Sequence, residues 1–356
     1  MREKPSIPEE HLRACLQEQY DLIPDTLDVL PLGLDTRAFV CRVVSEHGTF
    51  YLLKARSGTF YEPSCLIPDY LRDRGIAAVV APLLTKKNTL WTNIGDWTVI
   101  VYPFLEGDTS WTGMTDEHWK ELGTIFKRIH QVMVPTLGFE SLRKETFDPM
   151  GYARWVRAFE TSLAVAETQH AHSEGGRVSK RTLRASWMEH QSTIHQVVTV
   201  LEKLAEILQR QSAPHVICHA DLHPANLIRD HVGHVFVIDW DEVMLAPRER
   251  DFLFVKEAST DGSSRQGIPP FFQGYGQTEI DWTALTYYRY ERVVQDLIEC
   301  TQEVFFRDDL GEKTKADAIQ LFRDILAEGG EVDAARAAAA HLPSDLNFHN
   351  QEERTG

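Results

Sequence analysis

The stretch from residue 216 to residue 241 constrains the fold of this 356-residue chain more than any other part. It carries His219, Asp221, Asn226 and Asp239, with Asn226 five residues after Asp221 and Asp239 thirteen residues after Asn226. Apolar, β-branched runs flank these polar side chains, which is typical of short extended segments. A solvated turn with ordinary polar residues is the alternative, but an ordered set of this kind is uncommon by chance.

The local structure of this stretch follows from its proline and its turn residues. Pro224 disfavours helix in the residue before it, so Asp221 and Asn226 are expected on one irregular loop. The apolar runs on either side of residues 230–233 are predicted to pair as a short hairpin. Such a hairpin returns Asp239 to a position beside Asn226.

These side chains meet the needs of phosphoryl transfer. One carboxylate must orient an attacking hydroxyl, while an amide oxygen and a second carboxylate hold Mg²⁺ against nucleotide phosphates. Asp221, Asn226 and Asp239 supply those groups in that order. We therefore predict that Asp221 is catalytic and that Asn226 and Asp239 bind the metal.

The motif H-x-D-x-x-x-x-N, followed by I-D-W at residues 238–240, resembles the kinase-like aminoglycoside phosphotransferase family. The resemblance implies an α+β, bilobal, protein-kinase-like fold with a small antiparallel-sheet N-lobe and a larger, mainly helical C-lobe. We place the nucleotide-binding lobe at residues 1–104, the catalytic and substrate-binding lobe at 105–341 and a disordered tail at 342–356. The implied cofactors are ATP and Mg²⁺, with Ile238 among the nucleotide contacts.

Ala220 stands where a protein kinase has an arginine that commonly pairs with an activation-loop phosphate, so we expect a constitutive small-molecule kinase. The resemblance implies an aminocyclitol or aminoglycoside antibiotic as acceptor, with spectinomycin as the first candidate. Two alternatives stay open. One is a kinase for choline, homoserine or a thiosugar, and the other is an inactive, kinase-like regulator that binds nucleotide.

In the N-terminal part, extended segments are predicted at 26–32, 37–45, 49–56, 79–84, 89–92 and 97–104, with a helix at 8–20 and another at 62–74. By its position in the chain, the turn at Gly33 corresponds to a nucleotide-covering loop. An ordinary hairpin turn explains the same residues. Lys54 lies within an apolar strand, where an ammonium requires anionic partners. It resembles the strand lysine of the family. Glu62 is its expected partner, with Asp69 in reserve.

The apolar strand that ends in Pro103 resembles the connector between kinase lobes, where backbone groups pair with adenine. The resemblance implies that the Pro103 carbonyl and the Leu105 N–H bind the nucleotide. An edge strand that runs into a turn explains the same residues. Beyond the metal aspartate, Asp241 is a candidate contact to the acceptor or to a second Mg²⁺.

The C-terminal part shows helical spacing at 116–134, 149–164, 187–211, 281–303, 313–328 and 333–341, with a polar loop predicted at 168–180. His130 is expected to be a packed, hydrogen-bonded histidine, and Asp251 resembles an aspartate that braces the catalytic loop. Residues 259–277 are predicted to be a loop whose aromatic side chains either line the acceptor pocket or anchor the loop.

Composition narrows the partners. The chain has 37 Lys and Arg and 53 Asp and Glu, a net charge of −16, which argues against a nucleic-acid partner and suits a cationic small-molecule acceptor. Simple solubility explains the charge equally well. Five scattered cysteines without a C-x-x-C pair indicate reduced thiols and a cytoplasmic location. No signal peptide or long apolar run is evident, so no membrane partner is expected.

Overall fold

We describe the protein from a computed structural model. The described residues are 7–30, 38–135, 137–168, 177–255, 268–343 and 346. Gly33 and nearly all of the tail predicted at 342–356 lie outside them.

The helices within these ranges are α1 (Glu9–Tyr20), α2 (Pro63–Asp73), α3 (Asp116–His130), α4 (Met150–Thr168), α5 (Arg177–Glu189), α6 (Gln191–Leu208), α7 (Pro270–Tyr275), α8 (Trp282–Phe306), α9 (Glu312–Leu326) and α10 (Glu331–Ala339). The strands are β1 (Pro24–Leu30), β2 (Ala38–Ser45), β3 (Phe50–Ser57), β4 (Thr92–Ile94), β5 (Trp97–Pro103), β6 (Val216–Cys218), β7 (Leu227–Arg229), β8 (Val235–Val237) and β9 (Met244–Ala246). None of the helices in the described ranges is both long and apolar enough to cross a membrane.

The chain divides into two compact units. Unit 1 comprises residues 1–144 and 215–278, and unit 2 comprises residues 145–214 and 279–356. The sequence predicts a boundary at residue 104 between a nucleotide-binding lobe and a substrate-binding lobe. That boundary refers to ligand binding, and it stays a prediction.

A five-stranded antiparallel sheet forms the N-terminal part of unit 1, in the order β1-β2-β3-β5-β4. Alternate residues of β2, β3 and β5 face one core, into which α1 inserts Leu12 and Leu16 beside Leu53 and Val101. The turn between β2 and β3 uses Gly48 at φ +76°, a conformation that glycine adopts without steric cost. The mixed fold, with an antiparallel sheet at the N-terminal end and helices later in the chain, is the one expected from the sequence.

One predicted strand is wrong. The run 79–84 is not a strand, because Pro82 lacks the N–H that a ladder requires. It is held instead by a single bridge from Val79 to Val237 and by the hydrogen bond from the Leu83 N–H to the Val101 carbonyl, at 2.7 Å. The predicted strand at 89–92 is displaced, since β4 begins only at Thr92.

The remaining part of unit 1 is built on α3. Thr115 caps this helix in a reciprocal arrangement with His118. Helix α7 packs against it so tightly that a Cβ at Gly123 or Gly274 would collide with the backbone of the opposite helix. The predicted loop at 259–277 is therefore helical over 270–275, and its Tyr275 is buried, whereas residues 256–267 lie outside the described ranges.

Unit 2 is helical, and α8 is its central element. Helices α6, α9 and α10 contact α8, and the side chains along most of its length are buried. The rings of Phe159, Trp187 and Phe322 pack together, with centroids 4.8 Å and 5.8 Å apart. The loop predicted at 168–180 is shorter than expected, because α5 already begins at Arg177; residues 169–176 are outside the described ranges.

Candidate active site

The catalytic candidate Asp221 lies on an irregular turn between β6 and β7. The residue before it, Ala220, has φ +69°. This left-handed conformation costs a non-glycine residue about 1 kcal/mol or more. His223 is extended, as expected before a proline, and Pro224 begins a single 3₁₀ turn that ends at Asn226. The strained backbone thus presents Asp221 at a fixed point of unit 1.

Asn226 is oriented by Asp221. The amide nitrogen of Asn226 donates to the Asp221 backbone carbonyl at 2.9 Å and to its Oδ2 at 3.1 Å. The Nε2 atom of His223 lies 3.4 Å from the same Oδ2. Because the amide nitrogen faces Asp221, the amide oxygen of Asn226 is the atom that this arrangement leaves for a metal ion.

The predicted hairpin is present as β7 and β8, which pair in register from Leu227↔Val237 to Arg229↔Val235. Beyond the ladder, the Ile238 N–H donates to the Asn226 carbonyl at 3.0 Å, and the Ile238 carbonyl accepts from His219 Nε2 at 2.8 Å. Asp239 follows at φ +61°, which turns its side chain out of the strand direction. Ile238 therefore ties the two halves of the motif together.

Lys54 of β3 reaches the same place. Its ammonium lies 2.9 Å from Oδ1 of Asp239 and 2.9 Å from Oδ2 of Asp241, and Arg56 Nη1 lies 3.4 Å from that Asp241 oxygen. Burial alone would lower the pKa of Lys54, but the two carboxylates outweigh it and raise this pKa. Burial likewise opposes ionisation of Asp239, yet the attraction of Lys54 holds the pKa of Asp239 below its ordinary value.

Of the two carboxylates predicted from the sequence as partners of Lys54, one is exposed and the other pairs with a different residue. Glu62 precedes the first turn of α2 and is exposed, and no ion pair joins it to Lys54 among the described residues. Asp69 pairs with Arg72 three residues further along the same helix. The carboxylates that contact Lys54 come instead from 185 and 187 positions away in the chain.

The two connector residues occupy the end of β5. Pro103 is the last residue of the strand, and the N–H of Leu105 has no hydrogen-bond partner within the described ranges. The backbone at Gly107 packs closely against Arg229, since a Cβ added at Gly107 would lie 2.5 Å from the Arg229 carbonyl oxygen. This contact anchors the turn that follows the strand. An unpaired N–H beside an anchored turn is suited to hydrogen bonding with a ligand.

A second buried group supports the catalytic turn. Asp251 accepts hydrogen bonds from the backbone N–H groups of His219, at 3.0 Å, and Ala220, at 2.8 Å. It also pairs with His130 Nε2 at 3.0 Å, while Nδ1 of that histidine lies 2.8 Å from the Tyr275 hydroxyl. We call His130, Asp251 and Tyr275 the brace.

The brace confirms that His130 is a packed, hydrogen-bonded residue and that Asp251 is structural. Tyr275 anchors its segment, so of the two interpretations of the 259–277 aromatics, its position favours anchoring. The role of Tyr275 was missed at sequence level, because no pattern links it to a histidine 145 residues earlier. Arg56 was also missed, although its place two residues after Lys54 puts both side chains on one face of β3.

The oxygen atoms around this site suit a divalent cation. Asn226 offers an amide oxygen and Asp239 offers a half-exposed carboxylate whose Oδ1 contacts Lys54. Hard oxygen donors of this kind are those that Mg²⁺ prefers. The residues present therefore fit a magnesium ion.

Comparisons with known proteins give the family and the fold of this chain. The model of the phosphotransferase enzyme family (APH) matches residues 66–288, more than half of the chain. No curated protein matches the chain. The structure is similar to spectinomycin phosphotransferase, APH(9)-Ia, in complex with ADP and spectinomycin, with a TM-score of 0.81 and 28% identity over 94% of this chain and 99% of that chain.

An AMP-bound complex of the same spectinomycin phosphotransferase gives a TM-score of 0.75 and 26% identity over 92% of this chain and 98% of that one. An aminoglycoside phosphotransferase from Alicyclobacillus acidocaldarius shares the fold, with a TM-score of 0.60 and 15% identity over 96% and 98% of the two chains. The resemblance that the motifs carry is confirmed. The chain therefore belongs to the phosphotransferase enzyme family, as a kinase-like enzyme that transfers a phosphoryl group to a hydroxyl acceptor.

Proposed function

We propose that the protein uses ATP and Mg²⁺ to phosphorylate a hydroxyl of an aminocyclitol antibiotic, with spectinomycin as the first candidate. The observation that carries this proposal is the convergence of Lys54, Asp239 and the Asp221–Asn226 pair within unit 1. The likeness to spectinomycin phosphotransferase over 94% of the chain supports the choice of acceptor.

In the proposed reaction Asp221 accepts a hydrogen bond from the acceptor hydroxyl, orients it for attack and takes its proton. The new P–O bond to the acceptor forms as the bond between the γ-phosphorus and the bridging oxygen of ATP breaks, and ADP leaves. The Asn226 amide donates to Oδ2 of Asp221, and this contact restrains the carboxylate. Fixing the carboxylate before the acceptor arrives lowers the entropy lost in the transition state.

Asn226 and Asp239 would hold Mg²⁺, which neutralises charge on the nucleotide phosphates when it is bound. Lys54 would contact those phosphates. In the structure the Lys54 side chain is only 15% exposed and its ammonium is compensated by Asp239 and Asp241, so it already points towards anionic groups. Glu62 stays a candidate for the nucleotide site on its position before α2 alone.

For the base of the nucleotide we propose the Pro103 carbonyl and the Leu105 N–H, with Ile238 beneath it. The N–H of Leu105, which has no partner among the described residues, supports this, as does the half-buried side chain of Ile238. Gly33 stays a proposed phosphate contact. Asp241 is a weaker candidate for the acceptor, because its carboxylate already contacts Lys54 and Arg56. We place the reaction in the cytoplasm, where ATP and reduced thiols are found; all five cysteines are free and buried.

The proposal is tested by transfer of labelled phosphate from ATP to spectinomycin with purified protein and Mg²⁺. Choline, homoserine and a thiosugar serve as rival acceptors. Turnover with one of these rivals and none with spectinomycin would assign the protein to the alternative class, and ATP binding without any transfer would favour a regulator.

The matched variant is Asp221→Asn, which keeps the shape of the side chain and removes its charge. We expect turnover to fall roughly 10²–10⁴-fold with little change in nucleotide affinity. Near-normal turnover in this variant would remove Asp221 from the catalytic role.

A further inference from the structure

An exposed tryptophan lies beside the catalytic candidate. Trp111 is 57% exposed, and its indole stacks on the imidazole of His223, with ring centroids 4.9 Å apart and an interplanar angle of 22°. Phe254 contacts both rings edge-on, at 6.2 Å and 5.8 Å. Since Nε2 of His223 is 3.4 Å from Asp221 Oδ2, one stacked ring separates the exposed indole from the carboxylate.

The loop that carries Trp111 is rigidly built. Asp108 accepts from the Ser110 N–H at 2.9 Å and from the Ser110 hydroxyl at 2.8 Å, and it pairs with the buried guanidinium of Arg229 at 2.7 Å. The hydrogen bond from Arg229 is the main reason that the pKa of Asp108 falls to about 2. A Cβ at Gly113 would collide with the Asp108 carboxylate, so a larger residue there would have to displace this side chain from its hydrogen bonds.

The same element anchors this loop and the proposed metal ligand. Arg229 ends β7, which begins directly after Asn226, and its backbone exchanges two hydrogen bonds with Asp108, at 2.9 Å and 3.0 Å. Trp111 is thus a large ring that is held in place beside the catalytic candidate and is still 57% exposed. A ligand that covers the indole would bury apolar surface, which is favourable.

The position of Trp111 indicates that this ligand is the acceptor. The residues proposed for nucleotide binding lie on β3, on the end of β5 and at the turn after β8, whereas Trp111 approaches Asp221 through His223. A ring-shaped alcohol with protonated amines presents an apolar face and a cation, and both are favourable against an indole face. The acceptor must also bring its hydroxyl to Asp221.

We propose that Trp111, backed by His223, is a binding platform for the ring and the protonated amine of the acceptor, and thus determines acceptor specificity. The proposal rests on the function proposed above. Nδ1 of His223 is buried and has no hydrogen-bond partner among the residues that the structure describes, so stacking against Trp111 is part of what orients the imidazole. Trp111 therefore also contributes, to a smaller extent, to the position of His223 beside Asp221.

The test compares steady-state kinetics of the wild type, Trp111→Ala, Trp111→Phe and Trp282→Ala with ATP, Mg²⁺ and spectinomycin or choline. Trp282 is the matched control, since it also stacks on a histidine, His341, with centroids 4.0 Å apart, but belongs to unit 2. We expect Trp111→Ala to raise the acceptor KM about tenfold and to lower kcat less. Trp111→Phe should restore most of the affinity, and the KM for ATP should change less than about twofold.

The outcomes separate the two proposals. An unchanged acceptor KM in Trp111→Ala, or an equal rise in the KM for ATP, would overturn the platform while the function stands. A similar rise in Trp282→Ala would also overturn it. If the wild type phosphorylates neither acceptor, the proposed function fails and the platform fails with it.

Discussion

Two aspartates only twelve positions apart in the chain, Asp239 and Asp251, serve opposite purposes in this molecule. The side chain of Asp239 is 46% exposed and its described partner is the ammonium of Lys54, which it shares with Asp241. The side chain of Asp251 is fully buried and is surrounded by two backbone N–H groups and the ring of His130. The first carboxylate has contacts that a ligand can replace, and the second has contacts that the fold requires.

The difference follows from what each carboxylate stabilises. Asp251 accepts hydrogen bonds from the backbone N–H groups of His219 and of the left-handed Ala220, and charge-assisted hydrogen bonds of this kind contribute about 1.5–3 kcal/mol each. They offset the conformational cost of the turn that presents Asp221. Within the described part of the chain the Asp239 carboxylate accepts no backbone N–H, so we attribute its own left-handed conformation to the neighbouring hairpin.

The largest expected effect comes from Asp239→Asn. We expect turnover to fall at least about 10²-fold, because a neutral amide oxygen attracts Mg²⁺ less strongly than a carboxylate and the charge beside the phosphates is lost. The melting temperature should fall by less than about 3 °C, since Lys54 keeps Asp241 as a partner. Activity titrated against Mg²⁺ and a thermal melt measure the two quantities. Loss of folding with no specific loss of turnover would make Asp239 a structural residue like Asp251.

Asp251→Asn should show the reverse pattern. Its amide retains one acceptor oxygen but replaces the charge, which leaves a buried donor beside two N–H groups. We expect the free energy of unfolding to fall by about 3 kcal/mol, with turnover reduced because the catalytic turn is less well fixed. Urea denaturation measures the stability change. Full stability combined with a large loss of turnover would instead assign Asp251 to the chemistry.

The sequence predicted those parts of the fold that depend on short-range pattern. Strands β2, β3 and β5, the capped helix α3 and the β7–β8 hairpin all follow from alternation, helical spacing or turn residues, and all are present. The strand predicted at residues 79–84 does not form. An apolar run resembles a strand in sequence even where a proline and the contacts to distant residues prevent ladder pairing. Periodicity records which side chains are buried, and it does not record which backbone groups pair.

Contacts between distant residues were the part that sequence could not provide. Lys54 was expected to require carboxylates, since an ammonium within an apolar strand must be compensated. Which carboxylates contact it depends on the path of the chain between β3 and Asp239, so a near neighbour, Glu62, was chosen over residues that lie 185 and 187 positions away. The brace is a further case, as Asp251 was recognisable while its link through His130 to Tyr275 was not.

A smaller effect is expected for Tyr275→Phe, which removes only the hydroxyl at the outer end of the brace. Burial raises the pKa of Tyr275 to about 12, so the hydroxyl is neutral and its contact with His130 is an ordinary hydrogen bond. We expect a loss of about 1 kcal/mol in the free energy of unfolding and turnover within about threefold of the wild type. A double-mutant cycle with Asp251→Asn sharpens the test, because members of one network should be non-additive. Strict additivity would show that Tyr275 and Asp251 act separately.

The smallest effect is the acid dependence of the Lys54–Asp239 pair. Because the pKa of Asp239 lies below its ordinary value of 3.8, its stabilising contribution is complete above that value and is lost as the pH falls through the lower, folded-state pKa. The raised pKa of Lys54 acts at the opposite end, where the contribution is lost only above the ordinary value of 10.5. Between about pH 5 and 9 the pair should therefore contribute a constant amount, less than about 1 kcal/mol, since Asp239 is half-exposed and screened. Urea denaturation of the wild type and Asp239→Asn at pH 7, 5, 4 and 3 measures this difference directly. A difference that already disappears between pH 7 and 5 would mean that Lys54 does not hold Asp239 ionised, and the contrast with Asp251 would then lose its electrostatic basis.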